Sequence, residues 1–129
     1  AARACTPAMR RAGWGRIVNV SSSTVPLGRP NFTHYVTSKA AAIGMTRSMA
    51  RELGADGITV NAIMPGATET EIDDPHVTED IRDLIVSLQC VPRRQVADDL
   101  VGTLLFLCSD ASAFMTGQTL AVDGGSTHK

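Results

Sequence analysis

An α/β fold is predicted, with a parallel sheet of three strands and flanking helices, and three observations predict it. Short runs rich in β-branched or other apolar residues occur at 17–20, 58–64 and 119–122. Stretches of helical length, with apolar residues at helical spacing, lie between them. Each run stops at a turn: Ser21-Ser22, Pro65-Gly66 and Asp123-Gly124-Gly125. Strand alternating with helix is the pattern of a parallel sheet covered by helices. In such sheets, ligands gather beyond the carboxyl ends of the strands.

Composition narrows the function classes. A chain of 129 residues has the length of one domain, and 43% hydrophobic with 19% charged residues reads as soluble and globular. A net charge of −1 gives no electrostatic case for nucleic acid or an acidic membrane surface. No apolar run approaches the roughly 18 residues of a membrane span. Cys5, Cys90 and Cys108 are odd in number and far apart, without a C-x-x-C pair. Neither a disulfide framework nor a zinc site is expected, and a cytoplasmic location follows as the default. His34, His76 and His128 lack metal-ligand spacing, so no metal is expected.

Residues 1–11 read as the last turns of a helix, with Arg10 and Arg11 near its negative end and Gly13 closing it. Pro7 either kinks that helix or marks the first turn of a shorter one. Ile17, Val18 and Val20 form the first strand, ending at the serines. Pro26, Gly28 and Pro30 punctuate a loop, and Asn31 or Thr33 is the expected cap of the next helix, Thr33–Leu53. Its small residues, Ala40 to Ala42 and Gly44, allow another helix to approach closely. Gly54 and Asp56-Gly57 turn the chain into the second strand, which runs into Pro65-Gly66. Lacking a side chain, Gly66 lets a flat ligand approach its backbone. Asp73-Asp74-Pro75 breaks any helix; Thr78-Glu79-Asp80 opens another, carrying Ile81, Leu84, Ile85 and Leu88 at helical spacing. A third long helix begins at Asp98 or Asp99, and its broad apolar face, Leu100 to Cys108, is expected to be buried.

The chemistry concentrates in residues 22–39. Tyr35 and Lys39 are four apart, hence one turn apart on one helix face. Ser22 lies thirteen positions before Tyr35. Such a pair is ordinarily surface decoration, and such a serine ordinarily a turn residue. Brought to one point, a hydroxyl, a phenol and an ammonium make a proton-donating site for a carbonyl. A phenol ordinarily holds its proton up to about pH 10, and a neighbouring ammonium favours the phenolate.

Ser22 followed by Tyr35-Val36-Thr37-Ser38-Lys39 resembles the signature of the short-chain dehydrogenase/reductase family. The segment from Pro65 to Thr70 is similar to that family's Pro-Gly-x-x-x-Thr. The run from Leu105 through Thr116-Gly117-Gln118 to Val122-Asp123-Gly124-Gly125 is similar to the end of members related to 3-oxoacyl-carrier-protein reductase. The resemblance covers essentially the whole chain. It implies the C-terminal half of a Rossmann-like doubly wound parallel sheet, three strands with flanking helices, so that residues 1–129 are a partial domain. It implies Ser22, Tyr35 and Lys39 as catalytic residues. Tyr35, Lys39, Pro65, Gly66, Thr68 and Thr70 are implied as the side chains and backbone holding NAD or NADP. The long helix would pair with its copy in a homo-dimer or homo-tetramer, and the Thr78 region would be a lid over a small carbonyl or alcohol substrate; read from their residues alone, the first is equally a helix packed on the sheet and the second an amphipathic surface helix.

One departure matters. The family's Gly-x-x-x-Gly-x-Gly turn, whose amides hold the cofactor pyrophosphate, is absent from these residues, and so is its Asn-Ala-Gly segment. A bare edge on the first strand and uncovered helix faces are therefore expected to favour association or instability. Three functions are compatible with this reading. The chain is the catalytic half of an NAD(P)-dependent oxidoreductase, a truncated protein that only binds or dimerises, or a lyase or epimerase on the same scaffold.

Overall fold

The computed structural model describes residues 1–72 and 77–127. The break expected at Asp73-Asp74-Pro75 lies outside them. In chain order the elements are α1 (Ala2–Ala12), β1 (Gly15–Val20), α2 (Thr24–Leu27), α3 (Thr33–Leu53), β2 (Ile58–Pro65), β3 (Thr68–Glu69), α4 (Glu79–Ser87), β4 (Gln95–Val96), α5 (Asp98–Cys108) and β5 (Thr119–Val122). Strands β1, β2 and β5 form one parallel sheet with β2 in the middle. Ile17 stands beside Val60, and Ile63 beside Leu120.

The central position of β2 explains its composition. Residues 58–64 are all buried, so the strand needs no polar face. Ile58 and Val60 meet Ala50 and Leu53 of α3, with Met9, Ile17 and Met49 packed around them. Asn61 of β2 is satisfied by the chain leading into β5, whereas the buried Thr59 hydroxyl makes no hydrogen bond. The Asn61 amide donates to the Met115 carbonyl at 2.8 Å, and its oxygen accepts from the Gln118 N–H at 3.0 Å.

Helix α1 ends at Gly13, whose N–H caps the Arg10 and Met9 carbonyls, and Pro7 is accommodated inside it. Beyond α3 a single 3₁₀ turn, Gly54–Asp56, leads to Gly57 at φ 74°. A β-carbon there would lie 2.2 Å from the Gly13 carbonyl oxygen. The two turns that precede β1 and β2 therefore touch backbone to backbone, which only glycine permits.

Three expectations need correction. Neither Asn31 nor Thr33 caps α3. The cap position is Phe32, with no side-chain bond, and Asn31 takes a left-handed φ of 65°. The Phe32 ring packs edge-on against Tyr35 instead, with centroids 6.1 Å apart, so an apolar contact stands where a polar cap was expected. The loop around Pro26 contains a helical turn, α2, closed by the Gly28 N–H on the Thr24 carbonyl at 3.0 Å. The apolar face of α5 is not all buried. Leu107 is fully enclosed, whereas Leu105 is 66% exposed and Val101 is also open. A helix lying across a three-stranded sheet finds partners along one stripe only, and its remaining apolar residues face outward. The two-residue pairing of β3 with β4 carried no periodic signal long enough to be read.

Candidate active site

The carboxyl ends of β1, β2 and β5 converge, and each ends in a tight turn. After β1, the Ser21 N–H bonds the Ile63 carbonyl at 2.8 Å and the Ser23 N–H bonds the Pro65 carbonyl at 2.9 Å. These bonds carry the sheet ladder into the serine turn and hold Ser22 buried. The Ser22 hydroxyl oxygen accepts from the Thr24 N–H at 3.2 Å and from the Thr24 hydroxyl at 3.0 Å. Neither bond uses the serine's own proton, which is left to donate.

Helix α3 is tied to the same strand end. The Ser21 hydroxyl donates to the Lys39 carbonyl at 2.9 Å, and the Lys39 ammonium donates to the Val20 carbonyl at 3.2 Å. That anchoring sets the helix rotation and directs the ammonium to 5.7 Å from the Tyr35 ring centroid. Lower down, the Asn19 amide donates to the Thr46 hydroxyl at 2.9 Å, fastening α3 to β1 a second time.

Two adjoining cavities open at this end. The larger, about 410 Å³, is lined by Ser22, Tyr35, Gly66 and Ser126, with Ile81, Ile85 and Leu88 from the α4 region as an apolar wall. The smaller, about 250 Å³, is lined by Thr68, Thr70, Glu69, Arg82 and Arg94, among others. Ser22, Tyr35 and Gly66 are thus brought to one space, and Thr68 and Thr70 to the neighbouring one. Lys39 lines neither and reaches the site through Tyr35. Pro65 ends β2 and holds the serine turn through its carbonyl. The bare side of Gly66 faces protein: a β-carbon would lie 2.7 Å from the Gln95 side-chain oxygen and 3.0 Å from the Asp123 α-carbon.

Sequence reasoning missed several residues here. Gln95 is buried, and its amide donates to the Val122 carbonyl at 2.6 Å, packing the Pro-Gly turn against β5. Buried Asp123 accepts from the Gly125 N–H, the Thr127 N–H and the Thr127 hydroxyl, which folds the last residues back and carries Ser126 into the larger cavity. The Asp-Gly-Gly motif was the signal for this clasp, though it does not reveal that a serine after it enters the cavity.

Helix α4 is held over the site by ion pairs. The Arg94 guanidinium meets Glu69 at 3.1 Å, Glu79 at 2.6 Å and Asp83 at 3.1 Å, joining β3 to the helix. Hydrogen bonding to Glu79, then to Asp83, raises the Arg94 pKa further above its ordinary value. Next to it, Arg93 grips Asp99 at the start of α5, and Asp99 also accepts from the Val96 N–H at 2.8 Å. Hydrogen bonding from Arg93, then from that N–H, lowers the Asp99 pKa to about 2. Among the described residues no group of three or more histidine, cysteine or carboxylate side chains is placed to hold a metal ion.

Comparison with known proteins places this architecture. Residues 1–127 match the family model described as enoyl-(acyl carrier protein) reductase, and the chain belongs to that branch of the short-chain dehydrogenases/reductases. It is 48% identical over 124 residues to the Rhizobium meliloti protein named probable galactose dehydrogenase GalD, covering 95% of this chain and 48% of the other. It is 38% identical over 120 residues to the 3-oxoacyl-[acyl-carrier-protein] reductase FabG of Staphylococcus aureus, covering 93% of this chain and 48% of the other. The solved structure of a gluconate 5-dehydrogenase from Burkholderia cenocepacia, in complex with NADP and tartrate, superposes with a TM-score of 0.91 at 35% identity. That match covers 97% of this chain and 49% of the other. The chain spans about half the length of the curated relatives it matches. No helix among the described residues is long and apolar enough to cross a membrane.

Proposed function

We propose that the chain carries the Ser-Tyr-Lys half of an NAD(P)-dependent oxidoreductase that interconverts a ketone and a secondary alcohol. The observation that carries this reading is the convergence of Ser22 and Tyr35 on one cavity, with the Lys39 ammonium 5.7 Å from the phenol ring. In this reading residues 1–129 are the catalytic part of a larger domain. The relatives' names span sugar and acyl-carrier-protein substrates, so the shared chemistry, carbonyl against alcohol, is the level at which the substrate class is drawn.

The residues divide the work as follows. Ser22 has a proton free to donate, and it holds the substrate oxygen and stabilises negative charge that develops there. Tyr35 gives its phenolic proton to that oxygen in the reducing direction and takes it back in the oxidising direction. Lys39 stabilises the phenolate by its positive charge. Its ammonium has three donors, of which Val20 occupies one, and the other two fit the paired hydroxyls of a nicotinamide ribose. Thr70 is the residue proposed for the carboxamide, with Thr68, Pro65 and Gly66 forming the wall beside it. When bound, the nicotinamide supplies or accepts the hydride. Ile81, Ile85 and Leu88 give the substrate an apolar wall to pack against beside the reacting groups.

The test is Tyr35→Phe. Turnover with NADPH or NADH as reductant is expected to vanish, while the circular dichroism spectrum and melting temperature stay as in the parent. Retained turnover sinks the mechanism. A second reading, a chain that pairs with a partner without turning over, is favoured by the open apolar surface of α5 and of Phe114. Titration of the chain with NADPH separates the two: micromolar binding supports the enzyme, and none supports the binding protein.

A further inference from the structure

Among the described residues, Arg29 differs from every other charged side chain lining the two cavities. Arg82 and Arg94 both pair with Glu69, and Arg94 also pairs with two acids of α4. Among the described residues Arg29 meets no carboxylate and makes no side-chain hydrogen bond; its contact is the ring of Phe32, with Cζ 4.1 Å from the centroid. It lines both cavities, and in the larger one it is the one charged side chain among the described lining residues. Phe32 in turn packs against Tyr35. The cation therefore stands one aromatic ring away from the phenol.

Stacking occupies the face of a guanidinium and leaves its edge donors open in the plane. Those donors form a fork that matches a carboxylate with two parallel hydrogen bonds. With no acid among the described residues to displace, a bound anion competes only with water for the donors of the exposed guanidinium. Among the described residues the rest of the larger cavity is apolar or hydroxyl-bearing, and none of them repels a negative group.

We infer that Arg29 binds a carboxylate on the substrate, at the end of the molecule away from the carbon that meets Ser22 and Tyr35. The reacting end of this statement rests on the proposed oxidoreductase function; the anion site does not. A phosphate of the cofactor offers the same chemistry, and the experiment below distinguishes it.

The experiment is calorimetric titration of the protein, as parent, Arg29→Ala and Arg29→Lys, with 3-hydroxybutyrate, tartrate and gluconate, with the amide of each, and with NADPH. At least one acid is expected to bind the parent about 3- to 10-fold more tightly than it binds Arg29→Ala, the range of a solvent-exposed bidentate pair. Its amide is expected to bind parent and variant alike, Arg29→Lys to recover part of the loss, and NADPH affinity to be unchanged. Three results overturn the inference: no acid binds the parent, acid and amide lose equally, or NADPH loses affinity while the acids do not. Tyr35→Phe keeps the two proposals separate. If that variant still turns over while Arg29→Ala discriminates acid from amide, the oxidoreductase mechanism fails and the anion site stands.

Discussion

Gly57 illustrates how much of this fold depends on single atoms. Its left-handed backbone and its contact with the Gly13 carbonyl leave no room for a side chain. Gly57→Ala is expected to cost roughly 1–2 kcal/mol from backbone conformation alone, with the clash adding to it, measured as a lower urea midpoint at unchanged m. An unchanged midpoint contradicts the close approach of the two turns. At the same scale, Tyr35 and Lys39 owe their position to polar atoms that do no chemistry. The Ser21 hydroxyl and the Val20 carbonyl grip the lysine at both ends.

Among the elements, α5 and α4 are governed by charges near their first turns. Asp99 holds the start of α5 by accepting from Arg93 and from the Val96 N–H. Its pKa is depressed from 3.8 to about 2, so its stabilisation is complete above the ordinary value and is lost as pH falls through about 2. Asp99→Asn is therefore expected to melt below the parent at neutral pH, with the gap closing across the interval between those two values. A gap of constant size down to the lower value contradicts the ionic origin. For α4, the clamp is Arg94 on Glu69, Glu79 and Asp83. Arg94→Ala is expected to speed amide hydrogen exchange throughout Glu79–Ser87 while leaving β2 protected. Equal protection of α4 in parent and variant rules out the clamp as what holds the helix.

At the scale of the molecule, three strands do not cover the helices laid on them. Phe114 is fully exposed at 107%, Leu105 is two-thirds exposed, and Val20 is open on the edge strand β1. Exposed apolar residues beside an unpaired strand edge drive association. The 129-residue chain is expected to sediment as concentration-dependent oligomers, and the double variant Leu105→Lys with Phe114→Lys to shift toward the monomer. A chain that stays monomeric at all concentrations rejects this surface as adhesive.

Much of the chain was legible before any coordinates. The bounds of α3 and α5, the strand at Thr119–Val122 and the Gly13 cap follow from local rules that act within one or two turns: hydrophobic period, helix-end charge and glycine placement. The Tyr35–Lys39 face belongs with these, because helix geometry alone aligns residues four apart. What stayed hidden depends on chain closure. Phe32 displaced the expected polar cap because a ring from the next turn was there to meet it. Ser126 and Arg29 reach the cavities, and Gln95 the Pro-Gly turn, from segments far apart in the chain, and no local pattern records that meeting.

The sequence by itself determined the order of the three main strands and the four longer helices, the turns that end those strands and the spacing of the three proposed catalytic side chains. All of these are set by steric and hydrogen-bonding preferences of neighbouring residues. Only the tertiary structure decided which turns share a cavity, which side of Gly66 is filled by protein, and which face of α5 is left open. Those are settled by the number of strands beneath the helices and by contacts between residues tens of positions apart.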